Sequence, residues 1–277
     1  VIDPSCPCSV SGEMPAAQAE ESVKAENISL KKAVTDTSGF SDWGYLYDGE
    51  LLKGGKSKDQ ASLTLEHEEG IGSLYFIFRY TYGEYTITNN DTGEAKTVGQ
   101  GCFYHDFIDL EALFGTAPKS VTVSFDNGTV RLNELYAFTP GETPDYVQKW
   151  ELPVEGKTDL VLFSTHGDDE QLFFAGLLPY YANAMDYQVQ VVYLTDHFNL
   201  TTQRVHEMLN GLWAVGCTTY PVFGTFQDFL IESLDGTYAE FKKQGVWLDF
   251  KISLMVSDIV PLKMAQINEI NSKKMNI

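Results

Sequence analysis

The residues best suited to chemistry in this chain form one short run, Ser164-Thr-His-Gly-Asp-Asp-Glu170. The run stands where an apolar strand is predicted to pass into a helix, and open α/β sheets form their sites at this carboxyl edge of the strands. His166 and Asp169 can close on one divalent ion across such a turn, which leaves Asp168 to take a proton from a metal-bound water. A bound metal makes that water acidic and polarises an amide carbonyl. The run therefore predicts a metal-dependent hydrolytic site.

A simpler interpretation of the same run is that its acidic residues only begin a helix. Carboxylates are common in the first helical turn because they cap free amides and complement the helix dipole. His166 would then be incidental. The residue types and their spacing favour the metal site, but both interpretations stay open at this point.

Two kinds of pattern surround the run and predict two domains. From about Ile28 to Phe138, short stretches of alternating apolar and polar residues are separated by glycine- and asparagine-rich turns, which is typical of an all-β sandwich. From Asp159 the order becomes strand, helix, strand, helix, strand, which predicts a parallel α/β layer. The helices are expected at about Glu170–Ala184 and Thr202–Val215.

The predicted fold is therefore an N-terminal jelly-roll-like sandwich followed by a partial, doubly wound parallel α/β layer. We expect residues 1–28 to be an unstructured lead-in, residues 29–140 to form the sandwich, and residues 141–157 to link it to the α/β part at 158–277.

The strand, the run and the following helix resemble the signature of the PIG-L/LmbE-like deacetylases, zinc enzymes that remove acetyl from N-acetylglucosaminyl groups. The resemblance covers about residues 158–260 and continues through Arg204-x-x-Glu207 on the second helix. It implies that Zn²⁺, or another divalent metal, is held by His166 and Asp169. It also implies that Asp168 is the catalytic base and that Arg204 lies near the bound substrate.

The chain departs from this family in its last part. The family's third zinc ligand is a histidine that follows a later strand, whereas residues 251–277 contain no histidine. We therefore expect a chain that is shortened or altered there, with weak zinc binding and low activity unless another group fills the third position. His197, which follows the second predicted strand on the same sheet edge, is the candidate replacement and a candidate substrate contact.

The predicted sandwich resembles galactose-binding-like β-sandwiches in a general way, and such modules often bind carbohydrate. The resemblance rests on Leu46–Gly49, Phe107–Leu110 and Val121–Gly128. Trp43, Tyr45 and Tyr47 have amphipathic rings that could stack on a sugar. We nevertheless predict that these three rings belong to a strand face in the core, because that is the commoner place for them.

Composition limits the partners of the chain. Its 277 residues are 43% hydrophobic and 21% charged, as in globular proteins, and its net charge of −20 repels phosphate backbones, so no nucleic acid partner is expected. No apolar run approaches the ~20 residues of a membrane-spanning helix.

We expect an N-deacetylase acting on a carbohydrate or glycoconjugate, extracellular or at the cell surface, with a soluble cytoplasmic protein as the other possibility. The alternative function is non-catalytic carbohydrate or cell-envelope binding.

Overall fold

Ten short strands form two antiparallel sheets of five strands each in the N-terminal part of the computed structural model, which describes residues 23–51, 53–153, 156–196, 202–227 and 254–256. In chain order these strands are β1 (Val34–Asp36), β2 (Phe40–Ser41), β3 (Gly55–Ser57), β4 (Ala61–Glu66), β5 (Ser73–Phe78), β6 (Tyr85–Asn89), β7 (Glu94–Val98), β8 (His105–Asp109), β9 (Ser120–Phe125) and β10 (Arg131–Phe138). One sheet has the order β1-β4-β9-β6-β7 and the other the order β2-β3-β10-β5-β8. The predicted sandwich is thus present.

The sandwich core follows from the alternation of side chains along its strands. In β4 and β9 every second side chain is buried, and the buried Leu63 and Val123 lie directly opposite each other in register. Strand β5 lies between β10 and β8 and is buried at all six positions. One face of β5 joins the core, while Tyr75 and Ile77 on its other face pack in a second cluster with Phe138. Such two-sided burial explains why this strand lacks alternation.

Short helices and the first described residues complete the sandwich. The helices are α1 (Leu30–Ala33), a 3₁₀ helix (Trp43–Tyr47) and α2 (Leu110–Phe114). Residues 23–28, which were expected in the unstructured lead-in, are attached to the sandwich, since Lys24 forms a β-bridge with Glu142 and Asn27 forms one with Phe138. The rest of the expected lead-in lies outside the described residues.

The second part of the chain contains a small four-stranded sheet. Its strands are β11 (Leu160–Ser164), β12 (Val189–Asp196), β13 (Val222–Gln227) and β14 (Leu254–Val256), in the spatial order β13-β12-β11-β14. The pairs β11–β12 and β12–β13 are parallel, whereas β14 is antiparallel to β11 and was not predicted. The doubly wound arrangement of this layer stays a prediction.

The connection between β11 and β12 differs from the prediction, whereas the connection between β12 and β13 agrees with it. The continuous helix expected at Glu170–Ala184 is wrong: the chain forms α3 (Asp169–Leu172), then turns, then a π-helix (Pro179–Ala184). The turn at residues 173–176 interrupts the helix, and Gly176 within that turn is a poor helix former, whereas Pro179 lies inside the π-helix. The second connection is α4 (Thr202–Ala214), which agrees with the predicted helix.

The sandwich and the four-stranded sheet share a hydrophobic cluster. Phe103 and Tyr104 of the sandwich belong to the same buried cluster as Trp150 and Tyr220. The rings of Phe103 and Tyr220 are 4.5 Å apart between centroids, and the backbone N–H of Tyr104 donates to the Tyr220 hydroxyl at 3.1 Å. Trp150 thus anchors the connecting segment. In the described part of the chain, no helix has the length and apolar character needed to cross a membrane.

Candidate functional site

The predicted run lies in the turn between β11 and α3, at the carboxyl edge of the parallel strands. Strand β11 ends at Ser164, which pairs in register with Tyr193 of β12. The carbonyl of Thr165 accepts two hydrogen bonds from Thr195, one from its backbone N–H at 3.1 Å and one from its hydroxyl at 2.7 Å. The turn is therefore held by hydrogen bonds to the neighbouring strand β12 as well as by its attachment to β11.

The structure brings His166 and Asp169 together. The Nδ1 atom of His166 lies 3.3 Å from Oδ2 of Asp169, and the backbone N–H of His166 donates to the same oxygen at 3.0 Å. The His166 side chain is 47% exposed and that of Asp169 is 13% exposed. An imidazole nitrogen and a carboxylate oxygen thus meet in a place that solvent can reach.

Asp168 stands at the N-cap position of α3 but does not act as a capping side chain. Its carboxylate makes no capping hydrogen bond, while its backbone carbonyl accepts the amides of Gln171 and Leu172 at 3.0 and 2.9 Å. The capping interpretation therefore does not account for this carboxylate. Asp168 is half-buried.

Sequence reasoning missed the role of Glu170, which lies beneath the turn and is 1% exposed. The Ser164 hydroxyl donates to the carbonyl of His166 at 2.7 Å and lies 3.3 Å from Oε2 of Glu170. Burial raises the pKa of Glu170, against the opposing effect of hydrogen bonds from Tyr193 and Ser164. Glu170 is visible in the sequence as part of the run. Its buried surroundings are not, because they include Tyr193 of β12, a strand that lies later in the chain.

The donor atoms of His166 and Asp169 fit a divalent metal in chemistry and in spacing. Imidazole nitrogen and carboxylate oxygen both bind zinc, and two ligands at ~2.1 Å in a tetrahedral site lie about 3.4 Å apart. The observed separation is 3.3 Å. Within the described ranges, no three His, Cys, Asp or Glu side chains lie close enough together to hold a metal ion. The described residues therefore supply two donors, and His197 lies outside them.

Arg204, the other predicted substrate contact, forms an ion pair on the surface of α4. Its Nη1 atom lies 3.2 Å from Oε2 of Glu207, and both side chains are almost half exposed. His206 of the same helix is 1% exposed and packs towards the sandwich. The predicted role of Arg204 at the substrate stays a prediction.

The aromatic residues of the 3₁₀ helix are more exposed than predicted. Tyr45 is 40% exposed and Tyr47 is 37% exposed, so the prediction that they are core residues is wrong. Trp43 is half-buried against the core, and its ring lies 5.4 Å from that of Tyr47 between centroids. The buried Leu46 fixes the helix to the core. The rings of Tyr45 and Tyr47 face outwards because these residues belong to a 3₁₀ helix and not to a strand with alternating faces.

Comparisons with known proteins give little beyond this geometry. No protein-family model matches the chain, and no curated protein matches it. Among solved structures, a pectin-binding carbohydrate-binding module is similar, with a TM-score of 0.30 and 14% identity over 43% of this chain and 96% of that chain. A likeness of this strength carries no information on what this chain binds. The resemblance to the PIG-L/LmbE-like deacetylases therefore rests on the motif residues alone.

Proposed function

We propose that this protein acts on carbohydrate and that its α/β layer carries a metal-dependent N-deacetylase site. The substrate would be an amino sugar or glycoconjugate with an N-acetyl group. One observation carries the proposal: Nδ1 of His166 and Oδ2 of Asp169 converge at the carboxyl edge of the sheet, beside an Asp168 carboxylate that caps nothing. The resemblance of Ser164–Glu170 to the deacetylase signature supports the same chemistry.

Each residue of the turn has a role in this proposal. His166 and Asp169 hold the metal, which supplies Lewis acidity and an acidified water when it is bound. Asp168 takes a proton as water adds to the amide carbon, and it returns the proton to the nitrogen as the C–N bond breaks. The products are acetate and a free amine. Ser164 and Glu170 keep the turn in place, because the Ser164 hydroxyl bonds the backbone of His166.

A second candidate is a carbohydrate-binding protein without catalysis, bound to glycans at the cell surface or outside the cell. The exposed Tyr45 and Tyr47 rings beside Trp43 favour it, since aromatic rings offer an apolar face and a polar edge to a sugar. The presence of only two metal donors among the described residues also favours it. Both candidates share carbohydrate as the partner and differ in whether an amide bond is cleaved.

Acetate release separates the two candidates. The chain is incubated with a chitooligosaccharide and zinc, and released acetate is measured. We expect slow release that needs zinc and that falls to background in Asp168→Asn. The matched control is Asp186→Asn, because Asp186 is exposed and has a φ of 54°, a conformation that asparagine tolerates. This variant should release acetate at the wild-type rate.

Glycan binding completes the test. If the wild-type chain releases no acetate with zinc but binds glycan, and Tyr45→Ala abolishes that binding, the deacetylase proposal is overturned and the second candidate is supported. If the chain neither releases acetate nor binds glycan, both candidates are overturned.

A further inference from the structure

A shallow, open cleft of about 450 Å³ lies at the edge of the sandwich, and no residue of the His166 turn lines it. It lies where the end of β7, strand β8 and helix α2 meet the segment that leads to the α/β layer. Its lining combines apolar and aromatic side chains with carboxyl groups, as in pockets that take small organic ligands. The lining residues used below are Gln100, Phe103, Asp106, Asp109, Ala112 and Trp150.

Two glycines shape one wall of this cleft. Gly99 has a φ of +86°, and a Cβ atom there would lie 2.6 Å from the carbonyl oxygen of Gly83. A Cβ atom on Gly101 would lie 2.6 Å from Cζ of Phe103. Only glycine allows the backbone to fold back this tightly and to lie against the Phe103 ring. The wall is thus closely packed, and the Phe103 ring, which is 9% exposed, lies between Gly101 and the ring of Tyr220.

Asp106 lies in the cleft with one carboxylate oxygen short of a partner. Asp106 is 7% exposed, and its Oδ2 atom accepts a hydrogen bond from the Tyr85 hydroxyl at 2.9 Å. In the described part of the chain, Oδ1 has neither a hydrogen-bond donor nor an ion-pair partner. Burial raises the pKa of Asp106 to about 6, so the group is charged at neutral pH. A buried carboxylate is unfavourable unless a cation or several donors pair with it.

We propose that this cleft binds a protonated amino sugar, with its ammonium group on Asp106 and its ring against the apolar lining of the cleft. The inference rests on the proposed function, since deacetylation of an N-acetyl amino sugar releases this kind of amine. An ammonium group supplies the donors and the charge that Asp106 lacks. Gln100 and Asp109 at the cleft offer polar atoms for sugar hydroxyls.

Other cations and neutral sugars fit this cleft less well. Calcium needs 6–8 oxygen ligands, whereas Asp106 is a single buried carboxylate and Oδ1 of Asp109 already caps helix α2 by accepting the Ala112 N–H at 2.9 Å. An N-acetylated sugar has no charge and would leave Asp106 unpaired. The net charge of −20 also attracts cationic ligands over anionic ones.

Calorimetric titration of the 277-residue chain tests this site. To remove binding at the His166 turn, the chain carries His166→Ala and Asp169→Ala and the buffer contains a chelator. The ligands are D-glucosamine and, as its neutral match, N-acetylglucosamine. We expect one site that binds glucosamine at least tenfold more tightly than N-acetylglucosamine.

Three further variants locate the binding. Asp106→Asn keeps an acceptor for Tyr85 but removes the charge, and it should weaken glucosamine binding at least tenfold. Ala112→Phe fills the cleft from the exposed side of α2 and should abolish binding. Asp59→Asn, at an exposed position remote from the cleft lining, is the control and should bind as the parent does. Circular dichroism verifies that each variant is folded.

Three results would overturn the inference: equal affinity for the two sugars, unchanged binding in folded Ala112→Phe, or no glucosamine binding at millimolar concentration. None of these results bears on catalysis, which is measured as acetate release by the chain with His166 and Asp169 intact. The failure of the binding site and the failure of the deacetylase proposal are therefore distinguishable.

Discussion

The Nε2 atom of His105 lies 2.7 Å from the Nδ1 atom of His206, and this contact joins the β-sandwich to helix α4. Both residues are 1% exposed, and their rings stack with centroids 5.0 Å apart. The Tyr75 hydroxyl lies 2.9 Å from the other nitrogen of His105. The β-sandwich and the helix that follows β12 are thus connected through a buried imidazole pair.

A buried pair of this kind is neutral at neutral pH. Burial lowers the pKa of His105 well below its ordinary value, with a further contribution from His206, and burial lowers the pKa of His206 to about 4. One ring donates its N–H and the other accepts it, which two protonated rings cannot do. Acid should therefore act on the junction between the sandwich and helix α4.

We predict that stability falls as the pH is lowered from 6.5 towards 4. In this range unfolded His206, with its ordinary pKa of 6.5, binds a proton that the folded state excludes. The unfolded state then binds more protons, so the free energy of unfolding decreases as the pH falls, by about 3 kcal/mol for His206 alone. Urea unfolding at a series of pH values measures this loss.

His206→Gln is the variant that isolates this effect. Glutamine offers polar atoms near His105 but does not titrate, so the slope of stability against pH between 6.5 and 4 should become smaller. If stability fell with pH as steeply in His206→Gln as in wild type, the acid sensitivity could not be assigned to His206.

Asp106→Asn should change stability with the opposite dependence on pH. The folded-state pKa of about 6 is above the ordinary 3.8, so the folded state holds a proton that the unfolded state has lost between these values. The wild-type chain therefore loses stability as the pH rises through this window, by up to about 3 kcal/mol. Asp106→Asn should be more stable than wild type at pH 8 and about equal to it at pH 3.5. A variant that is less stable at pH 8 would contradict this prediction.

The sandwich strands were predictable because each carries local information. The alternation of apolar and polar residues that predicts the sandwich is present in β4 and β9, where every second side chain is buried. The helix expected at Glu170–Ala184 is interrupted by the turn at residues 173–176, which contains Gly176. Strand β14 could not be predicted, since its antiparallel pairing with β11 depends on residues far along the chain.

The chemistry of the turn was visible in the sequence, whereas its surroundings were not. His166 and Asp169 are three positions apart, so a local turn suffices to bring them together. The contact between His105 and His206 spans 101 positions and leaves no local signal. The cleft at Asp106 likewise depends on segments that only the fold brings together, and no short motif indicates it.

Ser164→Ala should weaken zinc binding without unfolding the chain. The Ser164 hydroxyl bonds the carbonyl of His166 at 2.7 Å, so its loss frees the turn that carries both metal donors. Loss of such supporting contacts typically lowers metal affinity about 10- to 100-fold. Equilibrium dialysis against zinc measures the change, with Ser124→Ala in β9 as a control for serine removal. Equal zinc affinity in Ser164→Ala and wild type would contradict the positioning role.

The three residues of the turn should differ in their effects on zinc content. His166→Ala and Asp169→Asn each remove a metal donor and should lower bound zinc strongly, since affinity depends on the ligand set. Asp168→Asn should retain bound zinc at the wild-type level, because the proposed role of Asp168 is proton transfer. Atomic absorption after dialysis gives the stoichiometry. Equal zinc loss in Asp168→Asn and Asp169→Asn would overturn these separate roles.

The most direct test of the account is the rate of acetate release from an N-acetylglucosamine conjugate by wild type and Asp168→Asn, each loaded with the same measured amount of zinc. We predict zinc-dependent release by the wild-type chain and a loss of about 10²- to 10⁴-fold in the variant, as expected when a general base is removed. Equal rates in the two proteins, or a wild-type rate that does not depend on zinc, would contradict the proposal of a zinc-dependent deacetylase with Asp168 as its base.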